Sequence, residues 1–325
     1  IRYHQLASSI LVCQQNRLLS HKSRFMQQTY NPANDNIQIW VGDQLWHRNE
    51  AKVSVFDSAV QGGDAVWEGM RVYNGRIFAF DDHVERLHAS AHTLMFNGVP
   101  DKSFIRMAVM ETLKANGMRD GAHIRMTLTR GEKITSGMDP RLNQRGCTLI
   151  ILAEWKAPVY GSEPITLITS SIRRNSPMML DSKIHHNNLL NNILAKIEAN
   201  QAGADDALML DIHGFVAETN ACNIFLIKNG VLRTPYARAC LPGITRKKVL
   251  ALSPGAGLPA EEADLSVSEF YNADEVFTTG TMGELVPVSS IDGRAISNRH
   301  AKKWLPILQE AYAEATASLG EKLDF

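Results

Sequence analysis

The chain is poor in cysteine. Its 325 residues hold only Cys13, Cys147, Cys222 and Cys240, far apart and with no CxxC pair. This fits a reducing compartment better than a disulfide framework, each cysteine reading as a small buried apolar residue. Net charge is lacking too, because 34 lysines and arginines offset 34 acids. The balance gives no electrostatic footprint for nucleic acid, and no sustained basic run offers itself to anionic lipid. No apolar run approaches the roughly 18 residues a membrane helix needs. Internal repeats and low-complexity tracts are absent as well, which leaves a soluble globular chain with a small-molecule ligand as the expectation.

What is present exceeds one hydrophobic core, so two domains are expected. Residues 1–36 read as an N-terminal extension. Up to Asn34 it carries Arg2, Arg17, Lys22 and Arg24 and no acid, and a remnant of a basic targeting peptide is the alternative reading. A small domain is expected over 37–153, an interdomain loop over 154–164 and a larger domain over 165–325. The small domain opens with alternation at Ile37–Val41, a Gly42-Asp43 turn and a return at Gln44–Trp46. A second hairpin joins Met70–Tyr73 to Arg76–Phe80 through Asn74-Gly75, a pair that tolerates the positive φ angles of a type I′ turn. Asp82 reads as the cap of a helix carrying Val84, Leu87, Ala91 and Leu94, and a second helix is predicted over Ser103–Asn116. In the larger domain the spacing predicts a helix over Asn187–Ala202, with Leu190, Ile193, Leu194 and Ile197 on its apolar face and Gly203 as its stop.

Chemistry concentrates between Gly214 and Arg246, together with Lys183 and Thr278-Thr279-Gly280-Thr281. These supply the groups that pyridoxal 5'-phosphate requires: Lys183 to hold an aldehyde as a Schiff base, Glu218 to pair with a protonated ring nitrogen, and the Leu241-Pro242-Gly243-Ile244-Thr245-Arg246 turn to present backbone N–H groups to a phosphate. Met178-Met179-Leu180 and Ile184 flank Lys183 and point to partial burial, which lowers an amine's pKa toward the range where it is a nucleophile and base. Lys196, on the polar side of its helix, and Lys228, beside a turn, compete less well. His185 and His186 read as polar residues at a helix start. They diverge in direction and no carboxylate stands at ligand spacing, so no metal is expected.

Three blocks in order carry a family resemblance: Ala217-Glu218-Thr219-Asn220-Ala221-Cys222-Asn223-Ile224-Phe225, Leu241–Arg246, and Thr279-Gly280-Thr281-Met282-Gly283-Glu284-Leu285-Val286-Pro287-Val288. From about Ile37 to its end the chain resembles the class IV (fold type IV) aminotransferases, nearest the branched-chain amino acid aminotransferases. The resemblance implies an α+β two-domain fold with a small N-terminal α/β domain and a larger β-barrel-like domain. It also implies a homodimer whose active site lies between domains, in the cytoplasm unless the basic N-terminal segment directs the chain to an organelle. Lys183 would be the catalytic lysine. Phosphate would meet the N–H groups of Ile244 and Thr245, the hydroxyls of Thr245 and Thr281, and Arg86. Arg125, in His123-Ile124-Arg125, would bind the substrate carboxylate with help around Met282, His123 standing where a tyrosine is usual. Trp67 would line the side-chain pocket, and Trp155 would be the interdomain-loop tryptophan.

The function implied is ping-pong transamination between an aliphatic, branched-chain-like L-amino acid and a 2-oxo acid such as 2-oxoglutarate. Rival readings keep the cofactor but change the donor to a D-amino acid or (R)-amine, change the reaction to an aminodeoxychorismate-lyase-like elimination, or leave a binding protein without turnover.

Overall fold

A computed structural model describes residues 28–160, 163–297 and 303–325. Cys13 and most of the basic extension lie outside them. Seven strands form the first sheet: β1 (Gln38–Val41), β2 (Gln44–His47), β3 (Ala65–Tyr73), β4 (Arg76–Ile77), β5 (Ala122–Thr129), β6 (Thr148–Trp155) and the chain-terminal Glu321–Lys322, in the order Glu321–Lys322, β4, β3, β5, β6, β1, β2. Helix α1 (Ser58–Gly62) precedes β3. Helices α2 (Phe80–Thr93) and α3 (Lys102–Ala115) bury Val84, Leu87 and Ala91 and Ile105, Val109 and Leu113 with Met70, Val72, Ile124 and Met126 of the sheet. The Asn74-Gly75 turn takes φ of 48° and 75°, as a type I′ turn demands.

The second sheet is mixed and curls on itself, giving the chain an α+β fold. Its strands are β7 (Ile165–Thr169), β8 (Asp206–Leu210), β9 (Val216–Thr219), β10 (Asn223–Lys228), β11 (Val231–Pro235), β12 (Ala260–Ala263), β13 (Glu275–Gly280), β14 (Glu284–Ile291) and β15 (Arg294–Ala295). In chain order Glu321–Lys322 is then β16. Both faces of this sheet are covered, which explains why its strands read as continuous apolar runs. In β10, Ile224 and Leu226 enter one core while Phe225 and Ile227 enter the other. Phe225 stacks on its register partner Phe277 at 5.1 Å. Helices α4 (Leu190–Ala202), α5 (Ile244–Leu252), α6 (Val267–Tyr271) and α7 (Leu305–Ser318) complete the unit.

Four expectations are corrected here. Asp82 does not cap α2, which starts earlier after Ala79 at φ 52°; Asp82 instead accepts from Lys247 and Lys248 across the domain boundary. The apolar face expected to bury α4 is the exposed one. Ala195 and Ala199 face the core, since only small side chains let the helix approach Ala207 and Met209, while Leu190, Ile193, Leu194 and Ile197 face outward. The end of the presumed extension belongs to the fold: Asn31 and Asn34 both donate to the Trp155 carbonyl, and the Trp155 N–H donates back to Asn34. Finally, the terminus does not stay with the larger domain, because β16 pairs with β4 and Leu323 enters the first core.

This return is sensitive to one glycine. Gly320 has φ +118°, and a Cβ there would lie 2.5 Å from the Ile77 carbonyl oxygen. Gly320→Ala is expected to lower stability by about 1–3 kcal/mol. A thermal melt indistinguishable from that of the parent chain would show that the terminal strand contributes nothing to the first domain.

Candidate active site

Between the two sheets runs a cleft with two lobes of about 320 and 310 Å³, sharing Trp67, His185, Lys196, Glu218, Asn220, Ala221 and Leu241. A larger cavity of about 490 Å³ lies away from it, at the β1–β2 edge, and gathers none of the expected cofactor groups. The cleft takes Trp67, Gly69, Arg86 and His123 from the first domain and Glu218, Ile244, Thr245, Thr281 and Met282 from the second. Arg125 lines the other lobe.

At one end Pro242-Gly243 leads into α5, whose first residues Ile244 and Thr245 are buried at the cleft wall. A helix N-terminus presents unpaired N–H groups and a positive dipole end, a ready anion site. Gly243 is required for contact rather than for φ, which is −61°. A Cβ there would stand 2.0 Å from Asn223 Oδ1. Arg86 reaches this turn and donates to the Pro242 carbonyl at 3.1 Å. Thr279 lines the same wall with a buried hydroxyl that has no protein partner.

Glu218, at 6% side-chain exposure, faces the cleft from β9. Burial pushes its carboxyl above the usual range while Arg174 pulls the other way. Arg174 Nε donates to Oε1 at 2.7 Å and Asn223 Nδ2 to Oε2 at 3.1 Å. The sequence reading missed both partners, although Asn223 lies within the first motif block and Arg174 in an arginine doublet. A carboxylate so held can accept a hydrogen bond from a protonated ring nitrogen, and with the α5 turn it fits two ends of a pyridoxal phosphate.

The third end does not follow expectation. Lys183 lies outside the cleft, lining a separate cavity with Ser176, Pro177, Asp211 and Arg238; its side chain is 44% exposed and its Nζ is 3.5 Å from Asp181. The flanking apolar residues misled, because Met178 and Met179 are themselves exposed. Two residues on, His185 enters the cleft instead of starting a helix. Its ring packs against Trp67 with centroids 4.1 Å apart and planes tilted by 37°, and Nδ1 lies 3.2 Å from Glu68 Oε1. The lysine that lines the cleft is Lys196, expected on a polar helix face; its Nζ donates to Asp206 at 2.9 Å and to the Asp205 carbonyl. Tyr160 also donates to Asp206.

Trp67 lines both lobes, donates to the His186 carbonyl, and carries the Arg125 guanidinium over its ring at 3.8 Å. Trp155 is corrected: it closes β6 and packs against the first core, lining neither lobe. Burial pushes the His123 imidazole down to about 3 and that of His185 to about 4, against a helpful carboxylate in the second case. Met282 stands in the wall, its carbonyl taking the Val159 N–H.

The histidine shifts carry a sign. Between pH 6.5 and 4 the unfolded chain binds protons that folded His185 and His123 refuse, so stability must fall as pH drops through this window. The urea midpoint is therefore expected to decline from pH 6.5 to 4, and His185→Gln with His123→Gln to flatten that slope. An unchanged slope in the double variant would mean that other groups govern acid sensitivity. Gly243→Ala is expected to weaken pyridoxal phosphate binding at least about tenfold by displacing Asn223, a clash of overpacking. Equal affinity in an equilibrium titration would refute the cradle.

Comparison with known proteins gives the family. The profile of the family described as Amino-transferase class IV matches residues 65–291. The chain is 54% identical over 93% of its length to branched-chain-amino-acid aminotransferase-like protein 2 of Arabidopsis thaliana, and it spans about half (55%) of that relative's length. It is 39% identical to a putative branched-chain-amino-acid aminotransferase of Methanocaldococcus jannaschii, over 88% of this chain and 99% of that one. Among solved structures, a T.th. branched-chain amino acid aminotransferase complexed with N-(5'-phosphopyridoxyl)-L-glutamate superposes with a TM-score of 0.80 at 33% identity, over 87% of this chain and 94% of that one. The chain belongs to the class IV aminotransferase family.

Proposed function

We propose that this chain is a pyridoxal-phosphate-dependent aminotransferase that moves an amino group from an aliphatic, branched-chain-like L-amino acid to a 2-oxo acid such as 2-oxoglutarate. The observation that carries the reading is that a buried carboxylate, Glu218, and the N-terminus of α5 face one cleft beside Arg86 and Thr281. The bound cofactor would supply an electron sink for the pair left when the substrate α-carbon loses its proton. Glu218 would keep the ring nitrogen protonated. Ile244 and Thr245 N–H groups, with the Thr245 and Thr281 hydroxyls and Arg86, would hold the phosphate.

Arg125, half-buried with Trp67 against it, would take the substrate carboxylate, with His123 and Met282 lining the same cleft. The L-stereochemistry and a glutamate-derived partner are supported by the phosphopyridoxyl-L-glutamate complexed with the T.th. relative. Lys183 has no part in this reading. A homodimer is supported by the row Leu190, Ile193, Leu194 and Ile197, each at least 44% exposed on one helix. Three free thiols among the described residues suit a cytoplasmic setting.

Visible absorbance of the loaded chain, titrated with L-leucine, D-alanine and (R)-1-phenylethylamine, tests the reaction. A spectral change to a pyridoxamine band near roughly 330 nm with L-leucine alone is expected. A response confined to D-alanine or the amine would transfer the assignment to those donors, and no response to any would leave a binding protein. Arg125→Ala is expected to raise the KM for amino acid donors about 10- to 100-fold, the loss of a charged hydrogen bond, while cofactor affinity stays unchanged. Leu194→Asp with Ile197→Asp is expected to convert a dimer to monomer in analytical ultracentrifugation.

A further inference from the structure

A catalytic amine must reach the cofactor's aldehyde carbon, and among the described residues the cleft has no lysine placed to do so freely. Lys183 opens into a different cavity, which shares no lining residue with either lobe. Lys196 lines both lobes, but its Nζ is held by the Asp206 carboxylate, itself 1% exposed, and by the Asp205 carbonyl. To attack an aldehyde it would have to abandon both acceptors and leave the buried Asp206 carboxylate with only the neutral donors Tyr160 and Asn220, a costly change.

His185 is placed differently. Its backbone N–H donates to Ser90 Oγ at 3.1 Å, and its carbonyl accepts the Trp67 N–H at 2.9 Å, so the residue is clamped between α2 and β3. The ring lies against Trp67, and its side chain is 14% exposed. Nδ1 faces Glu68 Oε1 at 3.2 Å, with Arg86 at 3.5 Å. With a carboxylate as neighbour, Nδ1 carries the hydrogen, which leaves Nε2 with its lone pair. Burial keeps the ring neutral at neutral pH. The tilted packing on Trp67 and the Glu68 contact hold the ring in place, as a positioned base requires.

Resting on the reading of this cleft as a pyridoxal phosphate site, we propose that the site binds its cofactor without a covalent bond to Lys183 or Lys196, and that His185 Nε2 is the base that moves the substrate proton. Nε2 takes the proton from the α-carbon, while the electron pair of that C–H bond passes to the conjugated ring system. The imidazolium formed is stabilised by Glu68. It would return the same proton to the former aldehyde carbon, so His185 ends neutral; the one water released when the substrate amine replaces the aldehyde oxygen is taken up again when the 2-oxo acid leaves. His185 is then a catalytic residue, and Glu68 positions it.

Three measurements on the full chain test this. Borohydride reduction of the pyridoxal-phosphate-loaded protein, followed by peptide mass mapping, is expected to leave Lys183 and Lys196 unmodified, and gel filtration before reduction to strip the cofactor. A reduced adduct on either lysine would overturn the proposal while leaving the cofactor assignment intact. His185→Lys is expected to create the missing link, giving an adduct at position 185 and an absorbance band near roughly 410–420 nm. A variant that binds cofactor yet forms no such adduct would show that position 185 does not face the aldehyde carbon. Third, wild type is expected to exchange the α-proton of L-leucine with D2O, followed by NMR, and His185→Gln to slow this at least about 100-fold. Its affinity for pyridoxamine phosphate, which has no aldehyde, should stay within about threefold. Unaltered exchange would remove His185 as the base. Failure of the wild-type chain to bind pyridoxamine phosphate would instead defeat the cofactor reading itself.

Discussion

One buried carboxylate organises the cleft. Glu68, fully enclosed on β3, receives Arg86 Nε and Nη2 at 2.8 and 2.7 Å, His83 Nδ1 at 2.6 Å and His185 Nδ1 at 3.2 Å. Burial alone would raise its carboxyl, yet these partners hold it well below the usual range. An unpaired charge in such a place would cost several kcal/mol, so each partner is constrained in turn. Arg86 is steered toward the Pro242 carbonyl at the start of α5, and His185 toward Trp67. Thus a residue of the first sheet fixes both the proposed phosphate end and the proposed reactive side of a cleft whose other wall belongs to the second sheet.

The second wall repeats the device. Glu218 is held by Arg174 and Asn223, and Asn223 also donates to the Leu241 carbonyl. Glu218 and the turn before α5, the proposed ring-nitrogen partner and phosphate cradle, are therefore tied through a single side chain, and Gly243 is needed because Asn223 occupies the space where its Cβ would go. Rigidity of this kind suits a site that must hold a planar ligand at both ends.

Much of this was legible in the sequence. The Asn74-Gly75 turn and the motif blocks around Glu218, Leu241–Arg246 and Thr279–Val288 rest on local chemistry that chain spacing reveals, while Trp67, which lines the cleft, was pointed to by the family resemblance alone. What failed was direction. Lys183 and His185 lie in one irregular segment without a repeating period, so spacing could not say which side chain turns inward; only the clamp on the His185 backbone by Ser90 and Trp67, 95 and 118 residues away, decides it. Helix α4 failed for a related reason. Periodicity found its apolar row correctly, but close approach to β8 selected the alanines for the core and left the larger residues outside.

Charge pairing across the cleft finally argues for where an anionic substrate group goes. Arg86 is matched by Glu68, Arg174 by Glu218 and Lys196 by Asp206. Among the described residues lining the two lobes, Arg125 is the one cation without a carboxylate partner; it meets the Asn187 side-chain oxygen and the face of Trp67. Burial lowers its pKa, which means that its charge is held at a desolvation cost with little to offset it. A substrate carboxylate laid against that planar fork would supply the missing partner. Because Arg125 and His185 share the Trp67 ring, a substrate anchored by its carboxylate at Arg125 would also bring its α-carbon toward the imidazole.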